Sequence, residues 1–171
     1  MPRSVVLAAR FQIVGRNPSR GVRRLERVAG VEVVGQVPDI TEYLHRFGVV
    51  VAPLQIARGI QNKILEAMAA SRPVVATPIA ATGIQAVDEE SILIAQDAES
   101  MAAQISRVLR DPLLSMSIGR KAHAVTATHY AWDNQLARLD AIVSGTPATQ
   151  TDPSPGREPR GQAHQPAHVL Q

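Results

Sequence analysis

The fold is decided by residues 53–77, which read PLQIARGIQNKILEAMAASRPVVAT. This stretch follows one apolar run, passes through a turn that contains Gly59, continues as an amphipathic segment and ends in a second apolar run. Three apolar residues recur at helical spacing: Ile64, Leu65 and Met68. They predict a helix over residues 60–71, and Pro73 then ends the helix and opens a strand. Strand, helix and strand in this order predict a parallel βαβ unit.

Similar apolar runs and amphipathic segments alternate on both sides of this stretch. The runs predict strands at residues 11–14, 31–34, 49–52, 74–77 and 92–94. The amphipathic segments predict helices at residues 20–29, 39–47, 60–71, 98–110, 112–128 and 132–144. Asp39 and the pair Asp111-Pro112 are expected to cap their helices. Since continuous apolar runs are typical of covered parallel strands, we expect an α/β fold with an open, doubly wound parallel sheet.

Composition divides the chain into three parts. Residues 145–171 contain five prolines and almost no large apolar side chain, so we expect a disordered tail. Residues 11–144 form the predicted domain, and residues 1–10 precede it as an N-terminal remnant.

The overall composition excludes several classes of function. The chain has 171 residues and no cysteine, which excludes disulfides, zinc–thiolate sites and thiol nucleophiles and favours the cytoplasm. A net charge of +3 and 3% aromatic residues argue against nucleic-acid binding. No uncharged stretch reaches the roughly 20 residues of a membrane span. Four arginines at helical spacing predict either a solvated face or contact with an anionic membrane or acidic partner: Arg20, Arg23, Arg24 and Arg27.

The start of the central helix is the candidate site for chemistry. Free backbone N–H groups of Ile60, Gln61 and Asn62, with the positive end of the helix dipole, favour an anion such as a pyrophosphate. Lys63 and Glu66 follow on the outer face, where an ammonium could neutralise phosphate and a carboxylate could accept hydrogen bonds from ribose hydroxyls. The alternative is an ordinary exposed Lys/Glu pair that contributes a few tenths of a kcal/mol. No metal-ligand spacing is present, and no metal or cofactor is predicted.

Six blocks of the sequence resemble the nucleotide-binding half of GT-B retaining glycosyltransferases, in glycosyltransferase family 4. The blocks are FQIVG (11–15), VVGQVPD (33–39), VVVAPL (49–54), NKILEAMA (62–69), PVVAT (73–77) and YAW (130–132). Residues 57–63 look most like sugar transferases of exopolysaccharide clusters, including those associated with exosortase systems. The resemblance implies a Rossmann-like C-terminal half of a GT-B fold.

The resemblance also implies roles for individual residues. Glu66 matches the second glutamate of an E-x7-E motif, which holds the ribose of the donor. Lys63 and the backbone at Gly59, Ile60, Gln61 and Asn62 match the diphosphate-binding turn. The loop Gly35, Gln36 and Val37 matches the one that holds the base through backbone groups.

Two departures from the family pattern stand out. Arg58 occupies the position of the first glutamate, where an arginine could contact phosphate or a charged sugar. The sequence also begins at what would be the second strand, so the central strand of a 3-2-1-4-5-6 order and the acceptor-binding N-terminal domain are expected to be missing. Residues 4–9 could fill the gap. We therefore expect a truncated product or one half of a split protein.

The implied function is binding of a nucleoside-diphosphate sugar and transfer of the sugar to an acceptor hydroxyl with retention, in polysaccharide or glycoconjugate synthesis. Lys63 and Arg58 are the predicted catalytic residues, and the acceptor domain is expected in cis or in trans. The expected location is the cytoplasm, with peripheral contact at the inner face of the membrane. The alternatives are a non-catalytic α/β interaction module and a fragment of a GT-B sugar-nucleotide epimerase.

Overall fold

Residues 9–131 form strands and helices that alternate along the chain, as seen in a computed structural model. The predicted helix at 132–144, the predicted tail at 145–171 and residues 1–8 of the N-terminal remnant lie outside the described residues.

Within residues 9–131 there are five short strands, and all of their pairings are parallel. The strands are β1 (Phe11–Val14), β2 (Val31–Gly35), β3 (Val50–Ala52), β4 (Val74–Ala76) and β5 (Leu93–Ile94). Each strand begins and ends within one residue of its predicted bounds. The prediction of an α/β fold with parallel strands is therefore confirmed.

The strands are arranged in two separate ladders. One ladder pairs β1 with β2, and the other runs β3-β4-β5. Among the described residues, no strand pairs with both β1 and β3. Residues 1–8 lie outside the described residues, so the expected absence of a central strand stays a prediction.

The helices are longest at the C-terminal end of the described chain. They are α1 (Arg20–Arg24), α2 (Thr41–Leu44), α3 (Asn62–Ala69), α4 (Pro78–Ala81), α5 (Ala98–Arg110) and α6 (Pro112–His129), with a 3-10 turn (Leu25–Arg27) after α1. The predicted bounds of α5 are confirmed, and α6 ends one residue later than predicted. Asp111 caps α6, because its carboxylate accepts a hydrogen bond from the Leu114 N–H at 2.9 Å.

Three helices are shorter than predicted, each for a local reason. The helix predicted at 20–29 ends early because Val28 is already extended and the chain must reach the first ladder, where Gly30 C=O accepts the Phe11 N–H at 2.8 Å. The helix predicted at 39–47 begins only at Thr41, and the prediction that Asp39 is its N-cap is wrong: Ile40 is the N-cap and makes no side-chain cap bond, while the Asp39 carboxylate accepts the Thr41 N–H at 2.7 Å. The helix predicted at 60–71 begins at Asn62, since Gln61 has extended backbone.

The hydrophobic core lies on the two faces of the second ladder. All three residues of β4 are fully buried, and their side chains alternate between two clusters. Val74 and Ala76 pack with Ile64 and Met68 of α3, while Val75 packs in the second cluster. That second cluster also includes Leu93, Met101, Val108 and Ile118. Helices therefore cover both faces of β4, as the continuous apolar strand predicted.

The first ladder is much less covered. No residue between 9 and 43 is buried, and three large apolar side chains there remain at least two-fifths exposed: Phe11, Leu25 and Val28. The first fully packed side chain along the described chain is Leu44, which belongs to the core of the second ladder.

The end of α3 is fixed against α6 by a close backbone approach. The N–H groups of Ser71 and Arg72 donate to the carbonyls of Met68 and Ala67, each at 2.9 Å, which is the Schellman pattern of hydrogen bonds. Ser71 has a positive φ of 57° in this motif. A Cβ on Gly119 of α6 would lie 2.2 Å from the Ser71 carbonyl oxygen, so only glycine fits at that point of the helix.

Candidate functional site

The turn between β3 and α3 presents the N-terminus of α3 at the carboxyl end of the second ladder. Gly59 takes a positive φ of 63°, which reverses the chain before the helix. The Gln61 side-chain amide donates to the carbonyls of Arg58 at 3.3 Å and Gly59 at 3.1 Å. Gln61 therefore stabilises the turn and makes no side-chain cap of the helix.

The first amides of α3 have no hydrogen-bond acceptor among the described residues. The Gln61 carbonyl accepts the Ile64 and Leu65 N–H groups at 2.9 and 3.3 Å. Within residues 9–131, no acceptor is found for the backbone N–H groups of the preceding residues, Ile60, Gln61, Asn62 and Lys63. Unpaired N–H groups and the helix dipole make such a terminus favourable for an anion.

Lys63 and Glu66 are both exposed. Lys63 lies in the first turn of α3. Glu66 lies one turn later and lines a shallow cavity of about 390 Å³ between α3 and α6. In the described part of the chain neither side chain forms a salt bridge, so both charges are accessible. The structure therefore places them along the same helix without bringing their side chains together.

The other predicted residues lie on loops at strand ends. Arg58 is exposed, and its backbone carbonyl accepts the Gln61 side chain. Gly35 ends β2 with a φ of 79°, and its carbonyl accepts the Gly15 N–H at 2.7 Å. Gln36 is exposed and Val37 is half-buried. The predicted base loop thus belongs to the first ladder, whereas the predicted diphosphate turn belongs to the second.

A polar contact that was not predicted from the sequence joins the ends of β3 and β4. The Thr77 hydroxyl donates to the Leu54 carbonyl at 2.5 Å and also accepts the Ala80 N–H at 3.4 Å. Thr77 thereby caps α4, with Pro78 in its first turn. This threonine–proline pair is the same kind of signal as Asp111-Pro112, so α4 could have been predicted.

A turn after α4 lies against the start of α3. Gly83 has a φ of 81°, and a Cβ on Gly83 would lie 3.5 Å from Cγ1 of Ile60. The Tyr130 hydroxyl accepts the Gln85 N–H at 2.9 Å and donates to the Gly83 carbonyl at 3.3 Å. Tyr130 also lines the cavity beside Glu66. These contacts connect the end of α6 to the turn beside the candidate site.

The acidic loop at residues 88–90 is tied to the C-terminal helices. Glu89 pairs with Arg107 at 2.6 Å and accepts the Gln104 amide at 2.8 Å, and Glu90 pairs with Lys121 at 3.2 Å. The hydrogen bond from Arg107 holds the pKa of Glu89 below its ordinary value. These carboxylates therefore have structural partners away from α3.

Within residues 9–131, no group of three metal-ligating side chains is found. The same residues contain no helix with the length and apolar character that spanning a bilayer requires.

Comparison with known proteins gives a consistent result. The family described as "Glycosyl transferases group 1" matches residues 2–111, more than half of the chain. The chain is 30% identical over 152 residues to the exopolysaccharide phosphotransferase SCO2592 of Streptomyces coelicolor, in an alignment that covers 84% of this chain and 16% of that protein.

Solved structures support the same fold. Anabaena Alr3699/HepE in complex with UDP has a TM-score of 0.68 at 18% identity, over 80% of this chain and 41% of that one. Sucrose-phosphate synthase from Thermosynechococcus elongatus has a TM-score of 0.66 at 25% identity, over 80% and 39% of the two chains. The C-terminal domain of LpcC from Francisella tularensis, a glycosyl transferase group 1 family protein, has a TM-score of 0.57 at 21% identity, over 66% and 60%. The present chain thus has the fold of the C-terminal half of GT-B proteins and spans less than half the length of the first two.

Proposed function

Because the chain belongs to the group 1 glycosyl transferases, we propose that it is the donor-binding half of a retaining glycosyltransferase. It binds a nucleoside-diphosphate sugar, and the sugar passes to an acceptor hydroxyl held by a second domain in cis or in trans. Two similarities support this proposal. The HepE structure contains UDP, and the Streptomyces coelicolor relative is named for exopolysaccharide. We accordingly propose residues 11–144 as the nucleotide-sugar domain and polysaccharide or glycoconjugate synthesis as its role.

The observation that carries the proposal is the set of unpaired N–H groups at the start of α3. Sugar transfer releases a nucleoside diphosphate, so negative charge grows on the β-phosphate as the glycosidic bond to the donor breaks. Backbone N–H groups of Ile60, Gln61 and Asn62 would donate to the phosphate oxygens, and Lys63 would neutralise their charge. Donors that are already oriented in the free protein stabilise such a charge without reorganisation.

The remaining predicted residues have distinct roles in the proposal. Glu66 accepts hydrogen bonds from the ribose hydroxyls, for which its exposure beside the cavity is suitable. The backbone of Gly35, Gln36 and Val37 holds the base. Arg58 contributes a second cation next to the turn, where it contacts phosphate or a charged sugar.

The test is titration of the full chain with UDP by calorimetry. Lys63→Ala should weaken UDP binding by about 10- to 100-fold, since a charged hydrogen bond contributes about 1.5–3 kcal/mol. Glu66→Gln should weaken UDP binding and leave binding of inorganic pyrophosphate unchanged, because pyrophosphate has no ribose. Lys121→Ala is the matched control, since Lys121 pairs with Glu90 away from α3.

UDP binding that is equal in wild type and Lys63→Ala would contradict the proposed phosphate site. If the chain binds no UDP but sediments with anionic vesicles, the interaction module is favoured instead, because the arginines of the α1 segment are all exposed: Arg20, Arg23, Arg24 and Arg27. Turnover of a free sugar nucleotide without an acceptor would favour the epimerase.

A further inference from the structure

Tyr130 connects the end of α6 to a distant turn. It directly follows the last residue of α6, and its hydroxyl accepts the Gln85 N–H at 2.9 Å. The same hydroxyl donates to the Gly83 carbonyl at 3.3 Å. The Tyr130 hydroxyl thus forms hydrogen bonds with two backbone groups of one turn, the N–H of Gln85, which is 45 residues away in sequence, and the carbonyl of Gly83, which is 47 residues away.

This turn packs against the residue that precedes the α3 N-terminus. Gly83 adopts a φ of 81°, and a Cβ added there would be in ordinary contact with Cγ1 of Ile60, at 3.5 Å. Ile84, next in the chain, is buried in the same cluster as Ile64 of α3 and Ala122 of α6. The turn therefore lies between the end of α6 and the beginning of α3.

Among residues 9–131, no side-chain cap fixes the start of α3: the Gln61 amide donates to the carbonyls of Arg58 and Gly59 in its own turn. Ile60 is 46% exposed, and its Cγ1 lies 3.5 Å from the position that a Cβ on Gly83 would take, so the Gly83 turn borders Ile60 on one side. A shift of Ile60 would move the N–H groups of Gln61 and Asn62, which follow it directly.

The Tyr130 side chain also reaches the second half of the candidate site. It forms part of the wall of the 390 Å³ cavity that Glu66 lines, together with Leu65 of α3 and His123 of α6. One side chain therefore contacts the Gly83 turn through its hydroxyl and borders the ribose-binding carboxylate of the proposed site.

We propose that Tyr130 is a positioning residue for nucleotide binding, because its hydroxyl holds the Gly83–Gln85 backbone against Ile60 and so fixes the α3 N-terminus. It need not contact the nucleotide. This inference rests on the proposed nucleotide site for its functional consequence, but its mechanical part can be tested without a ligand.

The experiment replaces Tyr130 by Phe in the full chain, which removes the hydroxyl and keeps the ring. Amide hydrogen exchange measured by NMR should accelerate at least about threefold at Ile64 and Leu65, whose N–H groups bond the Gln61 carbonyl, and stay unchanged in α5. The UDP dissociation constant should rise about three- to tenfold, which is the effect of one neutral hydrogen bond although two are lost, because Tyr130 acts on the nucleotide only through the turn.

Tyr43→Phe is the matched control, since Tyr43 is the other tyrosine of the chain and its ring packs near Phe47, away from the turn. It should change neither readout. Ile60→Ala removes the contact from the opposite side and should reproduce the faster exchange at Ile64 and Leu65, which keeps the test decisive if Tyr130→Phe does not fold.

Unchanged exchange at Ile64 and Leu65 in both variants would overturn the inference, even if Tyr130→Phe lowers the melting temperature. UDP affinity within twofold of wild type in both variants would also overturn it, because Tyr130 would then serve stability alone. If wild type binds no UDP but exchange at Ile64 responds to Tyr130→Phe, the positioning role stands and the proposed function fails.

Discussion

Gly119→Ala tests the close approach between α6 and the end of α3. The new Cβ would lie 2.2 Å from the Ser71 carbonyl oxygen and 3.0 Å from its carbon, whereas ordinary contacts begin near 3.4 Å. The two backbones would have to separate by about 1 Å. Neither side yields easily, because two hydrogen bonds fix the Ser71 turn and Ile118 and Ala122 of α6 are fully buried.

The expected cost follows from two opposing effects. Overpacking a tight interior site costs about 1–3 kcal/mol, and a clash with backbone belongs at the upper end of that range. Alanine is also a better helix former than glycine by about 1 kcal/mol, which offsets part of the loss. We expect Gly119→Ala to lower the free energy of unfolding by about 2 kcal/mol and the melting temperature by about 8 °C.

Urea unfolding followed by circular dichroism measures this difference. The matched control is Gly21→Ala in α1, where the new Cβ would lie 3.7 Å from the Ser19 hydroxyl, an ordinary contact. That control should be neutral or slightly stabilising, because only the helix propensity changes. The reasoning is refuted if Gly119→Ala is as stable as wild type or more stable.

Further predictions concern helix ends and pH. Ser71→Gly should raise the free energy of unfolding by about 1 kcal/mol in urea titrations, since glycine adopts a φ of 57° without the steric strain that a serine side chain causes there. A lower free energy of unfolding in Ser71→Gly would contradict this. Asp97→Ala should lower it by about 1 kcal/mol, because Asp97 and Ser100 form a capping box at α5; an unchanged midpoint would contradict that role. The hydrogen bond from the Ser100 N–H lowers the pKa of the Asp97 carboxylate in the folded protein. The stability that this carboxylate contributes should therefore be complete above the pKa of the unfolded chain, about 3.9, and be lost as the pH falls through the lower pKa of the folded protein. Thermal unfolding between pH 7 and pH 2.5 should therefore show a smaller acid-induced loss in Asp97→Asn than in wild type, and equal losses would exclude this linkage.

Much of the fold was predictable because its signals are local. The strands coincide with short, mostly apolar runs, and only β4 among those described is buried along its whole length, so their composition distinguishes them from the amphipathic helices. α6 was correctly located by Asp111-Pro112, which fixes its first turn. The end of α1 was wrong because the chain must become extended to join the first ladder, where the Phe11 N–H pairs with the Gly30 carbonyl, and the helical pattern does not contain that pairing. The start of α2 was wrong because the Asp39 carboxylate accepts the Thr41 N–H ahead of the helix.

The candidate site was predictable to a similar degree. Residues 58–66 are contiguous, so the sequence alone predicts that a turn comes first, then the N-terminus of α3, and then the residues on the outer face of that helix. The unpaired N–H groups of Ile60, Gln61 and Asn62 were expected and are observed within the described residues. The contact from Tyr130 to Gln85 could not be foreseen, because it joins residues 45 positions apart through one hydroxyl. The ligand roles of Lys63 and Glu66 stay predictions.

The uneven packing of the two ladders has a consequence for how this chain would respond to a nucleotide. All buried side chains of the described residues lie at or after Leu44, so the free energy of folding is concentrated beneath β3, β4 and β5. The loop after β2 belongs to the described residues 9–43, none of which is buried. A bound nucleotide that contacted both this loop and α3 would link the less buried first ladder to the well-packed second ladder. At a ligand concentration of about 100 times the dissociation constant, binding would stabilise the state in which both ladders contact the nucleotide by about 2.7 kcal/mol over the state that does not bind it.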